Sequence, residues 1–342
     1  MKRLILGIET SCDETAVGIY HNSRGMLANS IFSQINQHKK FGGVVPTIAS
    51  QLHIQKIHLV IQEALQQAKI SLSEITALAV THKPGLPGSL IVGLCFAKTI
   101  AWALQKPLIG VNHLEGHIFS SCIEHTVPFP HLCLTASGGH TALYKVHDFG
   151  RYTLLGQTVD DAAGEAFDKI AKMLNLPYPG GPIIEEYAKE ASFHDFFSYP
   201  RAMKHKQNFS FSGLKTAVMV HLAKEHGYSI TTKSTLPCTI TLKQQVASSL
   251  LVCIADIFED KIQQAHLQHP DINAITFVGG VACNHYIRNR LITYCAHYNI
   301  PFFTPSPQYC TDNGGMIAFV GNYAYEQKRF NSYTLDIFDE CD

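Results

Sequence analysis

The chain has 342 residues, 46% of them apolar, enough for a large buried core and about the length of two domains. Lys and Arg number 27, as do Asp and Glu. The balance excludes a uniformly basic nucleic-acid binder and a charge-rich disordered chain, leaving any nucleic-acid partner to a local patch. Ten cysteines are scattered without a Cys-x-x-Cys pair, the usage of a reducing compartment. Glu9 interrupts the opening apolar run before a signal-peptide core can form. Leu90 to Leu104, which contains Lys98, is too short to cross a bilayer. The expected location is the cytoplasm, with no membrane partner.

In chain order, residues 3 to 9 read as a buried strand, Thr10 to Glu14 as a polar turn, and Thr15 to Tyr20 as a second strand. A helix is expected from about Pro46 to Lys69, with proline in its first turn. Strand 76 to 81, a proline and glycine turn, helix 89 to 104 and strand 107 to 111 follow. The next stretch is Val111-Asn112-His113-Leu114-Glu115-Gly116-His117-Ile118. Asn112 can cap a helix there. His113 and His117, four apart, then share one helical face, where two neutral imidazoles can grip one divalent metal. With 19 histidines in the chain, such a spacing also arises by chance. The alternation of strands and helices predicts parallel α/β pairing.

Near residue 131 the opening pattern recurs. Leu132 to Thr135 is an apolar strand, Ala136-Ser137-Gly138-Gly139-His140 a tight turn, and Thr141 to Val146 a second strand. Two such units predict two similar halves with a ligand cleft between them. Residues 150 to 235 read as a mainly helical insertion: helix 161 to 174, the loop Leu176 to Pro182, another helix, a loop at 193 to 212, and helix 213 to 226. Helix 239 to 267, strand Ala274 to Val278, the turn Gly279-Gly280, helix 284 to 297, strand 300 to 303 and helix 313 to 327 complete the pattern. The expected divisions are an N-terminal lobe at 1–130, a C-terminal lobe at 131–330 and a tail at 331–342.

Several stretches carry chemistry. In Ser137-Gly138-Gly139-His140, backbone N–H groups can converge on an anion, although a plain hairpin turn has the same composition. In Gly279 to Asn284 the backbone can approach a flat ligand, and Asn284 either caps the next helix or bonds that ligand. Asp312 stands at another helix start, where capping is the ordinary role. Yet a carboxylate is the third ligand the histidines lack, and two histidines with one carboxylate suit iron or zinc. Glu115 lies two residues from each histidine, about 200° around the helix, and is badly placed to serve as a metalloprotease base. Asp160, Asp161, Glu165 and Asp168 crowd one helix start, where the first two suit the helix dipole. Arg201, Lys204, Lys206 and Lys215, interleaved with Phe209 and Phe211, could hold phosphates and stack a base, or form a solvated loop.

Together these motifs resemble the bacterial TsaD (Kae/Qri/YgjD) family of tRNA N6-adenosine threonylcarbamoyltransferases, formerly labelled O-sialoglycoprotein endopeptidases. The resemblance runs from Gly7 to Thr15 through Asn112 to His117, Asp160 to Lys169, Tyr178 to Pro182, Phe209 to Lys215 and Gly279 to Asn284, to Asp312-Asn313-Gly314. It departs from the family wording at Lys83, Pro87 and Glu185. It implies a duplicated actin-like ATPase fold (ASKHA, ribonuclease H-like), with the helical insertion. The implied reaction moves the threonylcarbamoyl group of threonylcarbamoyl-adenylate to N6 of adenosine 37 in tRNAs reading ANN codons, releasing AMP. By the match, His113, His117 and Asp312 resemble the ligands of one divalent metal, Fe2+ ahead of Zn2+. Ala136, Ser137, Gly138, Gly139, His140, Asp168, Gly181, Glu185 and Asn284 resemble the set that binds the adenylate donor. Asp13 is the candidate to orient or deprotonate the attacking amine. The family further implies a TsaB-like paralogue and a TsaE-like ATPase as partners. A metal-dependent glycoprotein endopeptidase, a small-molecule kinase of the same fold and a non-enzymatic scaffold are the rival readings.

Overall fold

The computed structural model describes residues 2–204, 206–226 and 239–338. The end of the expected insertion (227–235), Cys238 and Cys341 lie outside the described residues. The chain forms two compact units, Met1–Thr126 with Pro305–Asp342, and Val127–Thr304.

In the first unit, β1 (Leu4–Glu9), β2 (Glu14–His21) and β3 (Gly25–Ser33) form an antiparallel meander. The short α1 (Ile35–His38) leads to α2 (Pro46–Ala68), β4 (Ala77–Lys83), α3 (Pro87–Ala103), β5 (Leu108–Asn112) and α4 (His113–Ile118). The sheet order is β3-β2-β1-β4-β5, with β1–β4 and β4–β5 parallel. Side chains alternate across β1, as period-2 geometry requires. Leu4, Leu6 and Ile8 join a core with Ile57 and Val60 of α2 and Leu90 and Ala97 of α3.

The second unit repeats this frame. Its strands are β6 (His131–Ala136), β7 (Thr141–Asp148) and β8 (Arg151–Gln157), followed by helices α5 (Ala163–Met173), α6 (Gly180–Glu190), α7 (Ser212–His226) and α8 (Ile240–Gln268). Then come β9 (Ala274–Val278), α9 (His285–His297) and β10 (Phe302–Phe303). The order β10-β9-β6-β7-β8 has the same antiparallel and parallel pairings in the same places. Helix α8 is long and apolar enough to span a membrane, but 67% of its apolar window is buried within the protein, as in a core helix.

The chain then returns to the first unit through α10 (Pro307–Cys310) and α11 (Gly314–Glu326). Helix α11 lies directly on β1 and β2. A Cβ on Gly7 would stand 2.2 Å from the Ala318 nitrogen, and one on Gly18 would stand 2.4 Å from the Gly315 nitrogen. Only glycine permits that approach. It sets the start of α11, and with it Asp312, against the strands that lead into the first polar turn.

Three expectations change. The sequence reading lacks β3 and β8, which extend each strand-turn-strand unit into a three-stranded antiparallel meander beside the parallel strands. Both are edge strands with largely polar or half-exposed sequences, so they lack a clean alternating pattern. The helical insertion therefore begins after β8. Residues 305–342 join the first unit instead of a lobe ending at 330. Part of the expected tail packs there too. Leu335 and Ile337 are buried, the Asn331 Oδ1 accepts the Gly110 N–H at 2.8 Å, and the Asn331 N–H donates to the Leu108 carbonyl.

Candidate functional site

The histidine helix α4 starts where β5 ends, with the Asn112 Oδ1 accepting the Leu114 N–H at 2.8 Å. This places both imidazoles inside the first unit, edge to face with centroids 4.7 Å apart. Asp312 meets them there. Its Oδ1 lies 3.6 Å from His113 Nε2 and 3.1 Å from His117 Nε2. Donor atoms about 2.1 Å from a tetrahedral centre stand roughly 3.4 Å apart, so the spacing suits one small divalent ion. All three ligand atoms lie within 4.8 Å of one another. The cap of α11 is the neighbouring Asn313, whose Oδ1 accepts the Met316 N–H at 2.9 Å. The capping reading of Asp312 is thereby removed.

Glu9, which the sequence reading left as a strand terminus, completes the arrangement. It is wholly buried, and its carboxylate accepts from the Ser11 N–H at 2.5 Å, the Thr81 hydroxyl at 2.5 Å and His113 Nδ1 at 3.0 Å. Burial alone would raise its pKa, but the imidazolium of His113 outweighs that and lowers it. Burial in turn lowers His113, and the facing Glu9 and Asp312 overcome it, lifting His113 to about 9. With Nδ1–H tied to a carboxylate, the ring presents Nε2 to the ligand cluster, the usual support for a metal-bound histidine. An acid closing an otherwise apolar strand was the available signal.

Asp13 stands in the turn after β1, nearly buried. Burial, then the charges of Asp13 and Asp312 and a hydrogen bond with Asp13, hold the Glu14 carboxyl well above its ordinary range. The same burial and carboxylates raise Cys12, which remains an unreactive thiol.

In the second unit, the residues expected to bind the donor converge on the turn between β6 and β7 and on the starts of α6 and α9. The Ser137 N–H donates to the His140 carbonyl at 2.8 Å, and the His140 N–H to Ser137 Oγ at 3.2 Å. Gly138 and Gly139 face open space: a Cβ on either would meet nothing within 4 Å. Gly279, at φ +90°, lets the next turn close on Ala136, where a Cβ would fall 2.4 Å from the carbonyl oxygen. Asp168 accepts the Gly180 N–H at 2.6 Å, at the start of α6. Glu185 accepts the Tyr286 N–H at 2.9 Å, at the start of α9, and Asn284 caps the same helix through Ile287 N–H at 2.9 Å. The capping role expected as one alternative for Asn284 is thus present. Gly181 has open space beside it.

A family model described as "TsaD: tRNA N6-adenosine threonylcarbamoyltransferase" matches residues 25–319. The chain belongs to the TsaD family. A curated relative of that name from Thermodesulfovibrio yellowstonii is 48% identical over 320 residues, 93% of each chain. Another, from Staphylococcus aureus, is 41% identical over 335 residues, covering 97% of this chain and 95% of its own. Two solved structures share the fold at 14% identity. Component A of the Acidaminococcus fermentans (R)-2-hydroxyglutaryl-CoA dehydratase has a TM-score of 0.54 and covers 96% of this chain and 99% of its own. HypF of T. kodakarensis has a TM-score of 0.60 and covers 96% of this chain and 48% of its own. The duplicated actin-like ATPase fold expected for TsaD is present, as the two equivalent sheet orders show directly.

Two further expectations meet the TsaD structure differently. Glu115 turns toward Arg329, 3.9 Å away, and so away from the role of a protease base beside the two histidines. The basic and aromatic stretch is no base-stacking platform. Phe209 and Phe211 are fully buried against Phe258. Arg201 is bound to Asp195 and Asp256, beside a cavity of about 260 Å³, and Lys215 is bound to Asp161. Alternating aromatic and basic residues look alike whether the rings face a nucleobase or the core. Asp160 accepts the Phe211 and Ser212 N–H groups and so serves the start of α7.

Proposed function

We propose that this TsaD-family chain transfers the threonylcarbamoyl group of threonylcarbamoyl-adenylate to N6 of adenosine 37 in tRNAs reading ANN codons, releasing AMP. The observation that carries the reading is the set His113, His117 and Asp312, backed by Glu9, in a chain whose curated relatives bear that activity's name. In the step, the adenosine amine attacks the carbamoyl carbon of the mixed anhydride, the carbon–oxygen bond to phosphate breaks, and the amine proton departs. A bound divalent metal, which we take to be Fe2+ ahead of Zn2+, supplies Lewis acidity toward the phosphate that gains charge. Asp13 orients the amine and receives its proton, with the Glu14 carboxyl hydrogen-bonded to the Asp13 carboxylate. The open Gly138-Gly139 backbone suits an anionic group of the donor, since a side chain there would block close approach. His113 and His117 would hold the metal through imidazole nitrogens, and Glu9 fixes the His113 ring.

A TsaB-like paralogue and a TsaE-like ATPase are the proposed partners, and the cytoplasm the proposed location. The endopeptidase alternative loses its base with Glu115. The kinase alternative is separated by its products. Protein with its partners is incubated with threonylcarbamoyl-adenylate and unmodified tRNA, and nucleotide release is followed. The transfer reading expects AMP in step with acylated tRNA; phosphate release or a phosphorylated small molecule without tRNA would replace it with the kinase reading.

A further inference from the structure

A continuous line of hydrogen bonds runs from Val45 to the first polar turn. His38, Gln34 and His53 are completely buried, and the direction of every bond among them is forced. The Val45 N–H can only donate, and it meets His38 Nδ1 at 3.3 Å. His38 therefore carries its proton on Nε2, which donates to Gln34 Oε1 at 3.1 Å. The Gln34 amide nitrogen faces the Ala49 carbonyl at 3.3 Å, which fixes the orientation of that amide, and reaches His53 Nδ1 at 3.4 Å. The Thr15 hydroxyl donates to the same nitrogen at 2.8 Å. His53 is accordingly protonated on Nε2, and that N–H donates to the Cys12 carbonyl at 2.9 Å. Burial lowers the His53 pKa, in keeping with a neutral ring.

The consequence falls on Asp13. Ser89 Oγ is a second donor to the Cys12 carbonyl at 3.3 Å, and the Gln34 backbone N–H takes the Asp13 carbonyl at 3.0 Å. The peptide planes on both sides of the Asp13 Cα are thus tied down, and its backbone torsions with them. We propose that the Val45–His38–Gln34–His53 line is a positioning relay, with His53 the positioning residue that holds the Asp13 carboxylate where the reaction needs it. This rests on the reading that Asp13 works in the transfer. A displacement of about 1 Å at a reacting group costs on the order of a hundredfold in rate, so a carbonyl anchor of this kind acts on turnover more than on substrate affinity.

The test combines spectroscopy and kinetics on the full chain. In a 15N-histidine sample at neutral pH, the imidazole correlation spectrum should show His53, assigned by the signals lost in His53→Gln, with a protonated Nε2 and a bare Nδ1. His53→Ala should lower kcat for tRNA threonylcarbamoylation by roughly 10- to 100-fold, with KM for donor and tRNA changed by less than about twofold. His53→Gln, which retains an N–H to offer the Cys12 carbonyl, should recover most of the rate. A His53 ring protonated on Nδ1, or unchanged kcat in folded His53→Ala, overturns the relay. If His53→Ala does not fold, the wild-type tautomer and the His53→Gln rate decide the matter. Asp13→Ala, measured alongside, separates the two readings: wild-type turnover there removes Asp13 from the reaction, while the tautomer still judges the relay.

Discussion

The turn after β1 and the turn after β6 occupy the same place in two copies of one frame, yet their chemistry is opposite. The first gathers Glu9, Asp13 and Glu14 near Asp312, and its carbonyls are held from below by His53 and the Gln34 backbone. The second has no acid between Ser137 and His140 and leaves two glycines against open space. Concentrated carboxylates beside two histidines suit a cation, whereas unobstructed backbone N–H groups suit an anion. Duplication of the fold therefore conserves where a turn stands, and the side chains decide what it binds.

That contrast can be broken one turn at a time. Asp312→Ala should have the largest effect. Metal content, read by inductively coupled plasma mass spectrometry, should fall from near one per chain to near zero, and transfer should drop by roughly a thousandfold or more. Gly279→Ala should cost about 2–4 kcal/mol in denaturant unfolding, because it combines a positive φ with a clash at Ala136. Glu9→Gln leaves the three ligands in place but weakens the hold on His113, so metal affinity should fall by about 10- to 100-fold in a competition titration. Gly139→Ala meets no neighbour, so its melting temperature should stay within a few degrees while donor KM rises by about tenfold. An unchanged KM would leave the second turn as a plain hairpin.

A smaller effect concerns pH. Burial holds His131 down to about 4 from its ordinary 6.5. The unfolded chain therefore takes up a proton that the folded chain refuses, and the stability present at neutral pH is lost as pH falls from 6.5 towards 4. His131→Phe should flatten that acid limb of the unfolding curve by about 1–3 kcal/mol.

The sequence carried most of this frame because β1, β6, β9 and the long helices are buried runs with strong periodicity. It did not carry β3 or β8, whose half-exposed edge positions mix polar and apolar residues without a clear period. Nor did it show that the segment from Pro305 onward folds back onto the first unit, since that is set by the close approach of α11 to Gly7 and Gly18. His113, His117 and Asp312 were legible as residue types with the right chemistry, and the fold brings them together across 195 positions. Glu9 and His53 were not, because each acts by touching another residue, a relation that spacing along the chain does not encode. Phe209 and Phe211 misled for the complementary reason: residue type cannot say which way a ring faces.

The central claim, a TsaD transferase working through the His113, His117 and Asp312 centre, is met most directly by one measurement. Unmodified tRNA is treated with threonylcarbamoyl-adenylate, the chain and its partner proteins, and its digested nucleosides are weighed, with and without prior chelation. The expected result is a gain of one threonylcarbamoyl group on adenosine 37 that disappears on chelation and returns when Fe2+ is restored. No gain on adenosine, or a gain indifferent to chelation, would contradict it.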